Sequence, residues 1–410
     1  MNRIVILGAG TAGTMVAVKL RRALEPEEWS ITVVDRDDDH LYQPGLLLVP
    51  FGLYTRKDLF KPRHRFIPPG VDFVLAELDA IDVEQRLVRL ADGTSLGYDW
   101  LIIATGARIS PSDTAGLDGP GWREKVFDFY TPDGSLSLAR KLREFQGGRV
   151  VINVVEMPIK CPVAPLEFAF LADAYFTEHG IRKDVELVYA TPLTGAFTKQ
   201  RCSDALSYLL TSRGIQLETQ YNTGEVDGEQ GVLSSYDGRE LPFDLLVTVP
   251  THRGAEAIAR SGLGNELDFI PTDKHTLLSK ASERVFVLGD ATDLPSSKAG
   301  SVAHFQADVL LENMLRAIGG REPLPLFDGH SNCFIETGHG KAIVIDFNYD
   351  VEPLPGRYPL PGVGPLKLLE ENEANHWAKL AFRSMYWNLL LRGADLSAIG
   401  PRMAMAGKWS

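Results

Sequence analysis

Three cysteines stand in this chain, Cys161, Cys202 and Cys333. Thiols take up and release electrons by making and breaking bonds to sulfur, so these residues are the first candidates for chemistry. Their wide spacing fits neither a zinc knuckle nor an iron-sulfur cluster, and three cysteines in 410 residues do not make a secreted disulfide scaffold. They are therefore structural or redox-catalytic. A second set of residues points to a bound dinucleotide. Gly8-Ala-Gly-Thr-Ala-Gly13 follows the apolar run Arg3-Ile-Val-Ile-Leu7 and precedes a helical pattern through Met15, Val16, Val18 and Leu20. Ile31-Thr-Val-Val34 then reads as a second strand ending in Asp35. Glycines at this spacing let the backbone approach a pyrophosphate at a helix N-terminus, and the terminal acid takes ribose hydroxyls.

The elements that must position these groups follow in order. Phe73-Val-Leu75, Arg86-Leu-Val-Arg-Leu90 and Tyr98-Asp-Trp-Leu-Ile-Ile103 read as strands around a turn at Asp92-Gly93, closing on Ala104-Thr-Gly106. Small residues there give the backbone a second approach to the dinucleotide. Later, Arg284-Val-Phe-Val-Leu-Gly-Asp290 reads as a strand ending in Gly289 and Asp290, which resembles the strand-Gly-Asp order that in flavoproteins puts an acid near the ribityl chain. The helix opened by Ala299-Gly-Ser-Val-Ala303 aims its positive end at the flavin ring. Between these parts lies another α/β unit, starting at Arg149-Val-Val-Ile-Asn-Val-Val155. Its strand runs into Glu156-Met-Pro-Ile-Lys-Cys-Pro-Val-Ala-Pro165, where a nicotinamide dinucleotide would require glycines. The second nucleotide fold is thus expected to persist without its ligand, which argues against NADH as electron donor. Helices are expected from about Leu166 to His179 and from Cys202 to Arg213. Pro353, Pro355, Pro359, Pro361 and Pro365 punctuate an expected loop, and Asn372 to Arg392 reads as a helix.

The expected architecture is α/β, with two Rossmann-like dinucleotide-binding folds in tandem and a C-terminal membrane-facing region. Residues 1–110 with 271–325 make the FAD-binding unit, 111–270 the second fold, and 326–410 the C-terminal unit. Asp and Glu exceed Lys and Arg by 54 to 42, which excludes an electrostatic nucleic-acid binder. No run of about 18 apolar residues reads as a spanning helix and the first residues read as a strand, so a cytoplasmic-side location is expected.

Pro158-Ile-Lys-Cys161 with Pro162-Val-Ala-Pro165, and Asn332-Cys333 with Thr337-Gly-His-Gly-Lys341, closely resemble the two redox-cysteine segments of sulfide:quinone oxidoreductases. The resemblance covers essentially the whole chain, because the fingerprint, Ala-Thr-Gly, Gly-Asp and the C-terminal region fall in the family's order. It implies that Cys161 and Cys333 take up hydrogen sulfide, that electrons pass through FAD to a membrane quinone, and that the product is sulfane sulfur. It also implies FAD contacts at Gly8, Gly10, Ala12, Gly13, Asp35, Arg36, Gln43, Pro44, Leu78, Ala104, Thr105, Gly106, Gly289 and Asp290. Lys298 and Lys341 match lysines near the flavin and quinone end, and Phe347 matches an aromatic that packs on a quinone. Many members carry a third cysteine before the Pro-Ile-Lys-Cys segment. Here Val126-Phe-Asp-Phe-Tyr130 has none, and Cys202 matches no position of the family, so it is read as structural.

Glu167, six residues beyond Cys161, is a candidate proton acceptor; the alternative is a solvated carboxylate at a helix start. His339 either tunes Cys333 or sits in a surface turn. The segment from Lys379 to Arg392 carries Leu380, Phe382, Tyr386, Trp387 and Leu389 to Leu391 between basic ends. It is read as lying at a membrane surface, against the alternative of a helix packed on the core. A homo-oligomer stays open. The rival readings are a type II NADH:quinone oxidoreductase, the flavin subunit of a flavocytochrome c sulfide dehydrogenase, and a non-catalytic redox-sensing flavoprotein.

Overall fold

In the computed structural model, which describes residues 1–395 and 399–409, the apolar runs around the glycine fingerprint form a parallel sheet. β1 (Asn2–Leu7) leads through the glycine turn into α1 (Thr11–Ala23) and returns as β2 (Trp29–Asp35). β3 (Asp72–Leu75) and β4 (Trp100–Ile103) join on either side, and Ile6 pairs with Val33 of β2 and Ile102 of β4. Ile4, Val5, Ile6 and Leu7 are all buried, as expected of a strand covered on both faces. An antiparallel trio, Leu78–Asp82, Leu87–Leu90 and Ser95–Gly97, is inserted between β3 and β4.

The chain then builds a second sheet from β5 (Val126–Phe127), β6 (Gly148–Val154), β7 (Val185–Ala190), β8 (Ile215–Glu218) and β9 (Leu245–Val249). Their order, β5-β9-β6-β7-β8, is parallel throughout. Two of the crossovers are α2 (Ala164–Glu178) and α3 (Gln200–Ser212). α2 is apolar nearly all round, with Leu166, Phe168, Phe170 and Phe176 buried, so it is an interior helix. The chain next returns to the first sheet with β10 (Leu278–Ser279) and β11 (Ser282–Val287), giving the order β10-β11-β4-β1-β2-β3. α4 (Gly300–Ile318) follows and packs on α1.

The last sheet is β12-β13-β15-β14, from β12 (Ser331–Gly338), β13 (Lys341–Phe347), β14 (Gly356–Leu360) and β15 (Gly364–Leu368). The proline-rich stretch expected to be a loop is therefore partly a hairpin. Pro359 faces Pro365 across it, and β14 is an edge strand, where a missing N–H costs least. α5 (Glu373–Asn388) follows and starts on Asn372, whose side chain accepts a hydrogen bond from the Asn375 N–H at 2.9 Å.

The reading of α5 as a helix lying apolar face down on a membrane needs correction. Tyr386, Trp387, Leu390 and Leu391 are buried, and the two rings pack against His40 and Tyr42, with Trp387 also stacked on Phe66. Its largest apolar groups already serve the core, leaving Trp377 and Leu389 as its exposed large apolar side chains. Among the described residues no helix is long and apolar enough to cross a membrane.

Candidate active site

The glycine turn is shaped by contact. Gly8 has φ +99°, and a Cβ there would lie 2.4 Å from the carbonyl oxygen of Ala104. A Cβ on Gly13 would lie 1.8 Å from the Gly8 carbonyl oxygen, so α1 can approach β1 only with glycine at this position. Gly10 differs: a Cβ there would meet nothing within 4 Å, and no side chain caps the N-terminus of α1. That open side, next to uncapped N–H groups, suits a pyrophosphate. The Thr105 hydroxyl is buried without a hydrogen-bond partner, another mark of a site built for a bound group.

Asp35 ends β2 and accepts from the Ala9 N–H at 2.6 Å and its neighbour Arg36 N–H at 2.8 Å, while pairing with Arg63. The acid thus braces the turn. Gly289, with φ +69°, accepts no bulk because a Cβ would come within 3.2 Å of the Ala12 methyl; its N–H donates to Gln306 Oε1 at 2.6 Å. Burial pushes the Asp290 carboxyl up, against the opposing charges of Lys298 and Lys160. Lys298 donates to the carbonyls of Asp290 at 3.0 Å and Thr292 at 2.5 Å, and burial lowers its amine to about 8. Gly8, Gly10, Ala12, Gly13, Asp35, Ala104, Thr105, Gly106, Gly289, Asp290 and Lys298 thus gather at the C-terminal ends of β1, β2, β4 and β11, where doubly wound sheets bind ligands. Leu78 lies in the inserted antiparallel trio, its carbonyl accepting from Arg260 at 3.1 Å. Arg36 is at the surface, 3.3 Å from Asp37, and Gln43 and Pro44 are exposed at the start of the helical turn Gln43–Leu48.

Cys161 occupies the loop between β6 and α2, where the second nucleotide fold would carry its phosphate turn. Its φ is +46°, unusual for a residue with a side chain and costing on the order of 1–3 kcal/mol. Three hydrogen bonds hold it there. Its N–H donates to the Lys298 carbonyl at 2.7 Å, and its own carbonyl accepts from the Ala164 N–H at 2.9 Å and the Tyr130 hydroxyl at 3.4 Å. The bond to Lys298 fastens the cysteine loop of the second fold to the first fold, just before α4. Cys333 sits in β12 opposite Ile345, buried against α2. Burial pushes the Cys161 thiol up to about 12, with the Glu167 charge adding to it. Burial pushes the Cys333 thiol well above its ordinary value, and the charges of Cys161 and Glu167 add to it. Cys202 is buried on α3, and burial pushes its thiol up to about 12.

Glu167 is no solvated helix-start carboxylate, because it is only 1% exposed. It accepts from the Glu336 N–H at 2.7 Å, which ties α2 to β12, and it pairs with Lys379 of α5. Burial pushes its carboxyl up, and Lys379 opposes that. Burial works against the Lys379 charge, but the carboxylates of Glu167 and Glu336 outweigh it and leave its amine raised. The sequence alone does not single out Lys379 or Glu336. The one usable signal was His376 and Lys379, three residues apart on one helical face. Replacing Lys379 with Met leaves Glu167 buried without its cation, and about 3–5 kcal/mol of stability should be lost near neutral pH, measured by denaturant unfolding. A raised lysine contributes stability that is complete below its unfolded value of 10.5 and lost as pH rises through the higher folded value. The wild type should therefore lose stability above about pH 10.5, and the fall should be shallower in Lys379→Met, which lacks this contribution.

The course of β12 along α2 sets the surroundings of Lys341, His339 and Phe347. Lys341 is exposed at the end of the β12–β13 hairpin, where a Cβ on Gly338 would meet Ala174. Ala174 lies ten residues into α2, about 15 Å from its Cys161 end. His339 is in the same turn, 42% exposed and 3.7 Å from Asp173, and does not touch Cys333. Phe347 is buried edge-on against Phe197, with Lys199 over its ring at 5.6 Å, and stands apart from the aromatic cluster around Tyr42 and Tyr386.

Residues 2–155 match the pyridine nucleotide-disulphide oxidoreductase family. The mitochondrial sulfide:quinone oxidoreductase of Dictyostelium discoideum is 29% identical over 96% of this chain and 86% of its own length. The mouse mitochondrial enzyme is 25% identical over 95% of this chain and 86% of its own length. The X-ray structure of the sulfide:quinone oxidoreductase from Aquifex aeolicus superposes with a TM-score of 0.80 at 19% identity, covering 96% of this chain and 92% of that one. Over nearly its whole length this chain is a homologue of the sulfide:quinone oxidoreductases, and it begins with a pyridine nucleotide-disulphide oxidoreductase domain.

Proposed function

We propose that this protein oxidises hydrogen sulfide to sulfane sulfur and passes the electrons through FAD to a membrane quinone. The observation that carries this reading is Cys161, held at φ +46° against Lys298 in place of a phosphate turn. A Cys161–Cys333 disulfide, or a bridge through an added sulfur, is the oxidised form. Sulfide attacks one sulfur of the bridge, a new sulfur–sulfur bond forms, the old one breaks, and the other cysteine leaves as thiolate. The sulfane sulfur then leaves to a second nucleophile, a further sulfide or another thiol, and bound FAD would supply the two-electron acceptor that lets the dithiol close to the bridge again, with the pair going on to a quinone. The glycine turn, Asp35, Thr105 and Asp290 would hold the dinucleotide, and Lys298 would put positive charge at the ring end. Glu167 takes a proton from sulfide or returns one to a thiolate.

Support for the quinone side comes from an aromatic cluster against α5. Tyr42 is 5.0 Å from Tyr386 and 6.5 Å from Tyr54, and Lys61 and Arg383 lie over Trp387 and Tyr54. Exposed Trp377 and Leu389, with Leu360 and Val363 at the β14–β15 turn, support a peripheral membrane face. The three sheets support division into 1–110 with 271–325, 111–270 and 326–410. An NADH-driven quinone reductase is the weaker reading, because the loop from Val155 to Val163 has no glycine for a pyrophosphate. The test is a steady-state assay with a short-chain quinone. Sulfide should drive quinone reduction and NADH should not; the reverse pattern would discard the proposal.

A further inference from the structure

Three side chains from distant parts of the chain meet at the start of α1. Thr11 is the first residue of that helix, next to Gly10. Its hydroxyl lies 2.7 Å from the hydroxyl of Tyr386 on α5, 375 residues away in the chain. The Tyr386 hydroxyl in turn lies 2.7 Å from Nε2 of His40, in the short strand Asp39–Leu41. Tyr386 and His40 are each 1% exposed, so the row is shut off from water beyond Thr11. Tyr42 and Trp387 pack on the Tyr386 ring at 5.0 and 5.1 Å, and Phe66 and Trp387 flank His40 at 5.6 and 5.4 Å, which holds both rings in place. Arg63, whose charge acts on His40, pairs with Asp35 and Asp37.

Counting hydrogens gives the row a direction. Burial, and then the Arg63 charge, pushes His40 down to about 3, so its ring is neutral and carries one hydrogen. Burial holds the Tyr386 phenol well above its ordinary value, so it keeps its own. With the Thr11 hydroxyl, three hydrogens serve two bonds, and one is left over at an end of the row. Placed on Nδ1 of His40 it would be a buried donor, because that nitrogen has no hydrogen-bond partner. With Nε2 protonated instead, His40 donates to Tyr386, Tyr386 donates to Thr11, and the Thr11 hydrogen is left to give outward. Among the described residues the Thr11 hydroxyl has no other partner. It stands beside the uncapped N–H groups of α1 and the open side of Gly10, where an anion is favoured. We propose that Tyr386 and His40 are positioning residues for FAD, which fix the Thr11 hydroxyl so that it donates to the pyrophosphate of the dinucleotide. They act on the cofactor through Thr11. α5, from the other end of the chain, thereby takes part in holding it.

The test is FAD affinity, measured by titrating the stripped full-length chain without sulfide or quinone, so its result is independent of the sulfide reading. Thr11→Val and Tyr386→Phe should each bind FAD on the order of tenfold more weakly, while Thr11→Ser, which keeps the hydroxyl, should stay within about twofold of wild type. The double variant Thr11→Val with Tyr386→Phe should also be only about tenfold weaker, since the tyrosine hydroxyl has nothing left to orient once the Thr11 hydroxyl is gone. Melting curves of the stripped proteins are recorded beside the titrations, which are run well below the lowest midpoint so that unfolding is not read as lost binding. Wild-type affinity in Tyr386→Phe would overturn the proposal, whatever its melting temperature. So would a double variant about a hundredfold weaker, because Tyr386 would then act on FAD by packing and not through Thr11. Equal affinity of Thr11→Val and wild type would overturn it too, because the hydroxyl would not meet the pyrophosphate.

Discussion

Serine at Cys161 or at Cys333 should each lower sulfide-driven flavin reduction by about a thousandfold or more, while the protein stays yellow and folded. Either change removes one sulfur of the pair, and an alcohol oxygen neither forms the bridge nor accepts a sulfide nucleophile. Serine is close in size, and Cys161 is held by backbone bonds that the change leaves in place. Cys202→Ser should stay within about twofold of wild type in the same experiment, because its thiol only fills space on α3. Rapid mixing under anaerobic conditions with each purified variant reads all three. Equal rates in Cys161→Ser and wild type would remove the pair from the reaction.

Alanine at Gly13 and alanine at Gly10 should fail in different ways. At Gly13 the new methyl would stand 1.8 Å from the Gly8 carbonyl oxygen, an overlap that only a shift of α1 against β1 relieves. Overpacking of this kind costs about 1–3 kcal/mol, more than the roughly 1 kcal/mol that alanine gains over glycine in a helix. Gly13→Ala should therefore lose thermal stability and FAD together. At Gly10 the methyl meets no protein atom, and φ −76° with ψ −160° is open to alanine. The cofactor-free protein should then melt as wild type does, while FAD affinity drops on the order of tenfold or more. Melting curves of stripped protein and titration with FAD separate the two. Equal FAD affinity for Gly10→Ala and wild type would mean that the turn does not face the pyrophosphate.

The fingerprint could be read from the chain because its requirements are local. A turn that allows no Cβ at Gly8 and Gly13 must be written in glycine, and its strand, helix and acid follow within thirty residues. Cys161 was similarly readable, since prolines around a cysteine stand where glycines would be needed. Groups whose partners are far away in sequence were not. Lys379 looked like the basic end of a membrane-lying helix, and nothing near it names Glu167 as its partner. Glu167 in turn looked solvated, because carboxylates favour helix starts in any case. Tyr386 and Trp387 suggested a bilayer interface, whereas His40, Tyr42 and Phe66 cover them. In the hairpin of β14 and β15, prolines signalled a loop because their tolerance at a sheet edge depends on a neighbour that the sequence does not name.

The most direct measurement is an anaerobic titration of the yellow holoenzyme, recording the flavin spectrum as sulfide is added and, separately, as NADH is added. Bleaching by about one equivalent of sulfide per flavin once any bridging sulfur has been removed, no bleaching by NADH, and recovery on adding a short-chain quinone are the predicted results. Bleaching by NADH with no response to sulfide would contradict the account and leave Cys161 and Cys333 without a redox role.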